Sequence, residues 1–153
     1  MSLIPFFKRK HFFSASDQEA IVAAIKRAEK ETSGEVRVFV ESRCRFVNPI
    51  HRAEEIFWGL KMDSTGEYNA VLIYVAIKDQ QFAIFADNGI YTKLGNDYWN
   101  QSVNEMTSYI KEEGVAHGLV KVIDKIGNTL KEAFPYDPNT DKNELPDEIV
   151  FGQ

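Results

Sequence analysis

The segment Glu67–Ile90, EYNAVLIYVAIKDQQFAIFADNGI, constrains the fold of this chain more than any other stretch. Ala70 to Ile77 is an unbroken apolar run rich in Val, Ile and Tyr. That composition suits a strand buried on both faces, not a surface strand that alternates polar and apolar residues. Gln81 to Ala86 is a second such run, and the intervening Lys78, Asp79 and Gln80 leave room only for a reversal. The two runs are therefore predicted to pair antiparallel, with Asn69 about level with Gly89. In that register Thr65, Glu67 and Asn69 at the start of one strand meet Asp87, Asn88 and Gly89 at the end of the other.

The flanking segments carry helical and strand periods. Ser16 and Glu19 have capping-box spacing, and Ile21, Ala24, Ile25 and Ala28 give the helix that follows an apolar face, with Ser33-Gly34 as its stop. Val36, Val38 and Val40 then alternate with Glu35, Arg37 and Glu41 at strand period, with Phe39 on the second face. Asn48-Pro49 opens a second helix on Ala53, Ile56, Phe57 and Leu60. Strand, helix, strand in this order predicts a parallel pair. After the hairpin, Trp99, Val103, Met106 and Ile110 mark a third helix capped by Asn96 or Asp97, and Leu119, Val122, Ile123, Ile126 and Leu130 mark a fourth that Phe134-Pro135 ends. The order is α, β, α, β, β, α, α.

With 153 residues and 44% hydrophobic content the chain has the size of one domain. The segments divide it into an extension over 1–15, a domain over 16–135 and a tail over 136–153. The formal charge of -5 argues against nucleic acid as the main partner, because such surfaces need clustered Lys and Arg. Most of that charge lies in the tail, where Asp137, Asp141, Glu144, Asp147 and Glu148 face only Lys142. The tail closes on Ile149, Val150 and Phe151, a short apolar anchor expected to dock on the domain in preference to another chain. A single cysteine, Cys44, fits a reducing compartment. The opening MSLIPFFKRK has its apolar patch ahead of its basic residues, the reverse of a signal peptide, and no stretch reaches the ~18 apolar residues of a membrane span. A cytoplasmic chain without stable membrane insertion is expected; LIPFF beside KRK allows at most a weak surface association.

Glycines 114, 118 and 127 lie on or between helices and make neither a P-loop nor a dinucleotide fingerprint. His11, His51 and His117 are isolated from any second zinc ligand, and no Ser sits in a G-x-S-x-G elbow. Arg43 and Arg45 flank Cys44 and favour its thiolate, but the following FVNPI lacks the glycines and the Arg of a phosphate-cradling loop. What remains is the hairpin end. Thr65, Glu67, Asn69, Asp87 and Asn88 are oxygen-bearing residues of the kind hard cations such as Ca²⁺ and Mg²⁺ prefer, and Glu67 with Asp87 could also act as an acid and base pair. The same residue types build turns and satisfy strand ends, so both readings stand. At the opposite edge, beyond the carboxyl ends of the parallel strands, Glu41, Ser42, Arg43 and Lys78 gather near His51 and Arg52, a set that could hold an anion.

The segments TSGEVRVFVE, HRAEEIF, EYNAVLIYVA, QFAIFADNGI and GLVKVIDKIG, in that order and spacing, resemble the TPM domain family over about Ser16 to Pro135. The closing NELPDEIVFG resembles the tail of a short bacterial branch of that family. The resemblance implies an α/β/α sandwich around a small mixed sheet, with one parallel β-α-β unit and a central antiparallel hairpin. It also implies one of two roles. Some plant members are described as acid phosphatases, with acidic residues near the sheet edge proposed to bind a divalent cation, whereas others act as auxiliary or repair factors with no settled reaction. Where many members read Asp-Asn-Gly before the central strand, this chain reads Tyr68-Asn69-Ala70, and where many carry a Gly-rich turn it reads Asp87-Asn88-Gly89. The expected function is a small binding or auxiliary module with an unknown protein partner; the alternative is a divalent-metal-assisted acid phosphatase using Glu67 and Asp87.

Overall fold

The computed structural model describes residues 12–138 and 148–152. In chain order its elements are helix α1 (Ala15–Lys30), strand β1 (Glu35–Glu41), helix α2 (Pro49–Gly59), a 3-10 turn (Met62–Ser64), strands β2 (Ala70–Ala76) and β3 (Gln81–Ala86), helices α3 (Asn88–Leu94), α4 (Asn96–Glu113) and α5 (Val115–Ala133), and strand β4 (Ile149–Phe151). The four strands make one open sheet of order β3-β2-β1-β4. β1 is parallel to β2 and to β4, and β2 is antiparallel to β3, so the predicted parallel unit and the predicted hairpin both form.

All seven residues of β2 are buried, and successive side chains enter different cores. Val71, Ile73 and Val75, with Val36, Val38 and Val40 of β1, face α1, α4 and α5. Leu72, Tyr74 and Ala76, with Phe39, face α2, where the Phe57 ring meets Phe85 edge-on at 4.9 Å between centroids. The period of two along a strand thus sends one apolar run into two helical layers, giving the α/β/α sandwich.

The hairpin register is Val71 to Ala86 through Ala76 to Gln81. Continued outward, it sets Asn69 opposite Asn88, one residue from the expected partner Gly89. By Asn88 the chain has already turned into α3, a helix that the turn-like sequence Asp-Asn-Gly conceals. The start of α1 also differs from expectation. Ser14, not Ser16, is the cap: its Oγ accepts the Asp17 N–H at 3.0 Å, and its extended backbone suits that position. The helix also stops earlier than Ser33-Gly34, with Glu31 as its C-cap. Asn96 and Asp97 are the first residues inside α4 and not its cap, because the Asn96 side chain accepts the Tyr91 hydroxyl.

The apolar end of the tail docks within the chain as β4. Ile149 is buried, Gly152 N–H donates to the Val40 carbonyl at 2.8 Å, and the Phe151 ring stacks on Phe12 with centroids 5.9 Å apart. Asp141, Lys142, Glu144 and Asp147 of the tail and LIPFF with KRK at the start lie outside the described residues. Among the described residues no helix is long and apolar enough to cross a membrane.

Helices α1 and α5 touch through Gly127, where an added Cβ would lie 2.7 Å from Ala28 Cβ and 2.8 Å from Ala28 Cα. Backbone cannot yield as a flexible side chain can, so Gly127→Ala is expected to lower stability by about 1–3 kcal/mol despite the better helix propensity of Ala. Chemical denaturation tests this; a raised midpoint would mean that the two helices separate without cost.

Candidate functional site

The loop that enters β2 and the start of α3 form one edge of the sheet. Thr65 is buried, and its Oγ1 accepts the Asn69 N–H at 3.2 Å, closing a turn around Gly66, Glu67 and Tyr68. Asn69 is 1% exposed and its Nδ2 donates to Ser33 Oγ at 3.2 Å, while Ser33 Oγ donates to Glu67 Oε2 at 2.9 Å. A relay of amide, hydroxyl and carboxylate therefore joins the segment before β1 to the segment before β2. In the sequence Ser33 marks only a helix stop, and no local signal makes it a partner of residues more than thirty positions away.

Asp87 follows β3 and caps α3, with Oδ1 accepting the Asn88 N–H at 2.7 Å. Its own N–H donates to the Ala70 carbonyl at 2.9 Å, which holds it beside the start of β2. The side chain is largely inaccessible at 5% exposure, and burial followed by the nearby negative charge of Asp63 pushes its pKa up, against the opposing Asn88 N–H. Asp63, on the 3-10 turn, carries no sequence signal of its own and joins the expected site residues only in the fold.

Gly89 makes this junction possible. An added Cβ would sit 2.4 Å from the Glu67 carbonyl oxygen and 2.7 Å from that of Tyr68, so only glycine lets α3 approach so closely. Ile90 N–H then donates to the Tyr68 carbonyl at 3.1 Å. The clamped loop holds Tyr68 at φ 52°, left-handed backbone that an aromatic residue rarely adopts, and leaves its side chain 56% exposed. Thr65, Asn69, Asp87 and Gly89 are thus brought together, with Glu67 and Asn88 on the exposed rim.

Two buried oxygens here, Asn69 Oδ1 and Asp87 Oδ2, have no hydrogen-bond donor among the described residues. Buried acceptors are normally satisfied, and hard oxygens of this kind fit Ca²⁺ or Mg²⁺. Three His, Cys, Asp or Glu side chains do not gather at one point among the described residues, so any such cation would draw on amide or backbone oxygens as well.

At the opposite end of β1 and β2, Glu41, Ser42, Arg43, Arg52 and Lys78 line one cleft, as expected, whereas His51 is exposed and outside its lining.

Known proteins resemble the chain at both levels of comparison. Residues 7–129 match the sequence profile of the TPM domain. The NMR structure of the BA42 protein from the psychrophilic bacterium Bizionia argentinensis is 40% identical, covers 92% of this chain and 96% of its own, and superposes with a TM-score of 0.84. The solution structure of the N-terminal domain of the cg2496 protein from Corynebacterium glutamicum has 17% identity, a TM-score of 0.61, and coverage of 77% of this chain and 74% of its own, and shows the same fold. No curated protein matches.

The raised pKa of Asp87 has a definite sign. In the folded state the proton is held to higher pH than in the unfolded chain, so Asp87 opposes folding increasingly as pH rises above the ordinary carboxylate value and has no effect below it. Asp87→Asn keeps the capping oxygen and removes the charge, and it is expected to be at least as stable as the parent at pH 7. Its advantage should vanish by about pH 4. A pH-independent difference in denaturation midpoints would contradict this assignment.

Proposed function

The chain belongs to the TPM domain family, and from that premise we propose that it is a small binding or auxiliary module whose contact surface is the clamped loop around Tyr68. The observation that carries this reading is the strained, exposed Tyr68 itself. Left-handed backbone costs an aromatic residue of order 1–3 kcal/mol, and four interactions around it hold the loop in place. Thr65, Ser33, Gly89 and Ile90 make contacts that hold a loop whose Tyr68 side chain is more than half exposed. A tyrosine flanked by the exposed Glu67 and Asn88 offers apolar area with a polar tip, the composition of a protein-contact anchor.

Capture from a cell extract tests the proposal, with Tyr68→Ser as the control because β4 is structural and truncation of the tail would damage the sheet. A partner retained by the parent and lost by the variant is expected. Identical partner lists would remove the loop from the account.

A second reading, a divalent-metal-assisted acid phosphatase, is favoured by the two donorless oxygens of Asn69 and Asp87. Asp87, Asn69 and Glu67 would hold the cation, whose charge would polarise a phosphoryl oxygen of the substrate. Against it, Glu67 Oε2 already accepts from Ser33, and Tyr68 stands where many relatives carry a carboxylate. Titration of the isotope-labelled protein with Ca²⁺ and then Mg²⁺ decides: this reading requires saturable amide shifts confined to 65–69 and 87–89, and loss of aryl phosphate hydrolysis in Asp87→Asn. Absence of shifts at millimolar metal would end it.

A further inference from the structure

A cleft of about 770 Å³ opens past the carboxyl ends of β1 and β2, bounded by the loop from Ser42 to Phe46, by Arg52 and Glu55 of α2, and by Lys78 and Asp79 of the hairpin turn. This is the place where open α/β sheets usually receive ligands, and the volume lies in the range of small-molecule sites. Its lining carries four cations, Arg43, Arg45, Arg52 and Lys78, against three carboxylates, Glu41, Glu55 and Asp79.

The carboxylates are all committed. Glu41 takes Arg52 Nε and Nη2, each at 2.9 Å, and also accepts the Tyr74 hydroxyl at 2.5 Å. Glu55 takes Arg52 Nη1 at 2.5 Å. Asp79 takes Arg43 Nη1 and the Cys44 N–H, both at 2.7 Å, which ties the loop after β1 to the hairpin turn. Arg45 and Lys78 have no acidic partner among the described residues, and Arg52 keeps guanidinium N–H groups beyond the three it has used. The first turn of α2 carries no acid, so the positive end of that helix adds to the same field.

We propose that this cleft binds a small organic acid, its carboxylate held by Arg45, Lys78 and the fixed guanidinium of Arg52 and its apolar body against Phe46. Four cations against three carboxylates leave the lining a net charge of +1, which matches a singly charged carboxylate better than a phosphate dianion. Phe46 is 38% exposed at the rim and supplies the apolar contact. The carboxylate could belong to a free acid or to the C-terminus of a peptide, since the recognised group is the same.

The test is an amide-shift titration of the full labelled chain with benzoate, benzamide, inorganic phosphate and a dipeptide ending in a free or amidated phenylalanine. Benzoate is expected to give saturable shifts confined to 42–46, 52 and 78–79, with benzamide giving none. Arg45→Ala combined with Lys78→Ala, both exposed positions, should weaken binding about tenfold or more. Tighter binding of the free dipeptide than of benzoate would assign the source as a chain terminus and support the same chemistry. Equal shifts with benzamide, tighter binding of phosphate, or an unchanged affinity in the double variant would each overturn the proposal. None of these outcomes bears on the Tyr68 loop, at the other end of the sheet.

Discussion

Everything in this molecule depends on the requirement that β2 be dry on both sides. A strand with seven buried residues has no solvent face, so its neighbours in the sheet and two separate helical layers must cover it completely. Hence α2 packs on one side, α1, α4 and α5 on the other, and β1 and β3 satisfy its backbone donors and acceptors along both edges. The two ends of β2 are the places where this cover runs out. Polar groups collect there because the backbone must leave the sheet and find new partners, and both candidate sites are consequences of that exit.

The two ends solve the problem differently. At the entry, the loop is stitched by short-range contacts and a close backbone approach at Gly89, and buried Asp87 carries an electrostatic penalty. At the exit, the Tyr74 hydroxyl emerges from the smaller core onto Glu41, which Arg52 neutralises. Burial, with the Glu41 carboxylate beside it, holds the phenol protonated well above its ordinary range, so Tyr74 serves as a permanent donor. A buried ion pair contributes little net stability after desolvation, but it fixes the geometry of the guanidinium at its surface end.

The sequence made the hairpin, the parallel unit and most of the helices legible because each rests on a local period or a local cap. Asn48-Pro49 opens α2 as read, and the alternation at Val36, Val38 and Val40 marks β1. Helix α3 is hidden in the sequence because Asp-Asn-Gly has the composition of a turn, and the deciding contact, Gly89 against the Glu67 and Tyr68 carbonyls, spans the hairpin. Thr65, Asn69, Asp87 and Gly89 lie at one edge of the sheet with Glu67 and Asn88 on its rim, and Ser33 and Asp63 join them through folding alone. β4 was visible only as an apolar end, since three residues cannot show a period and their strand character comes from the edge they meet.

That edge has a consequence for how the molecule is made. β1 pairs on its outer side with residues 149–151, so its N–H and C=O groups there wait through synthesis of the whole intervening chain before they are covered. During that interval the nascent domain carries an open strand edge, the kind of surface that recruits strands from other chains. Phe12 precedes the whole domain and Phe151 follows it, so the ring stack that flanks this seam forms only after both ends of the fold have been made.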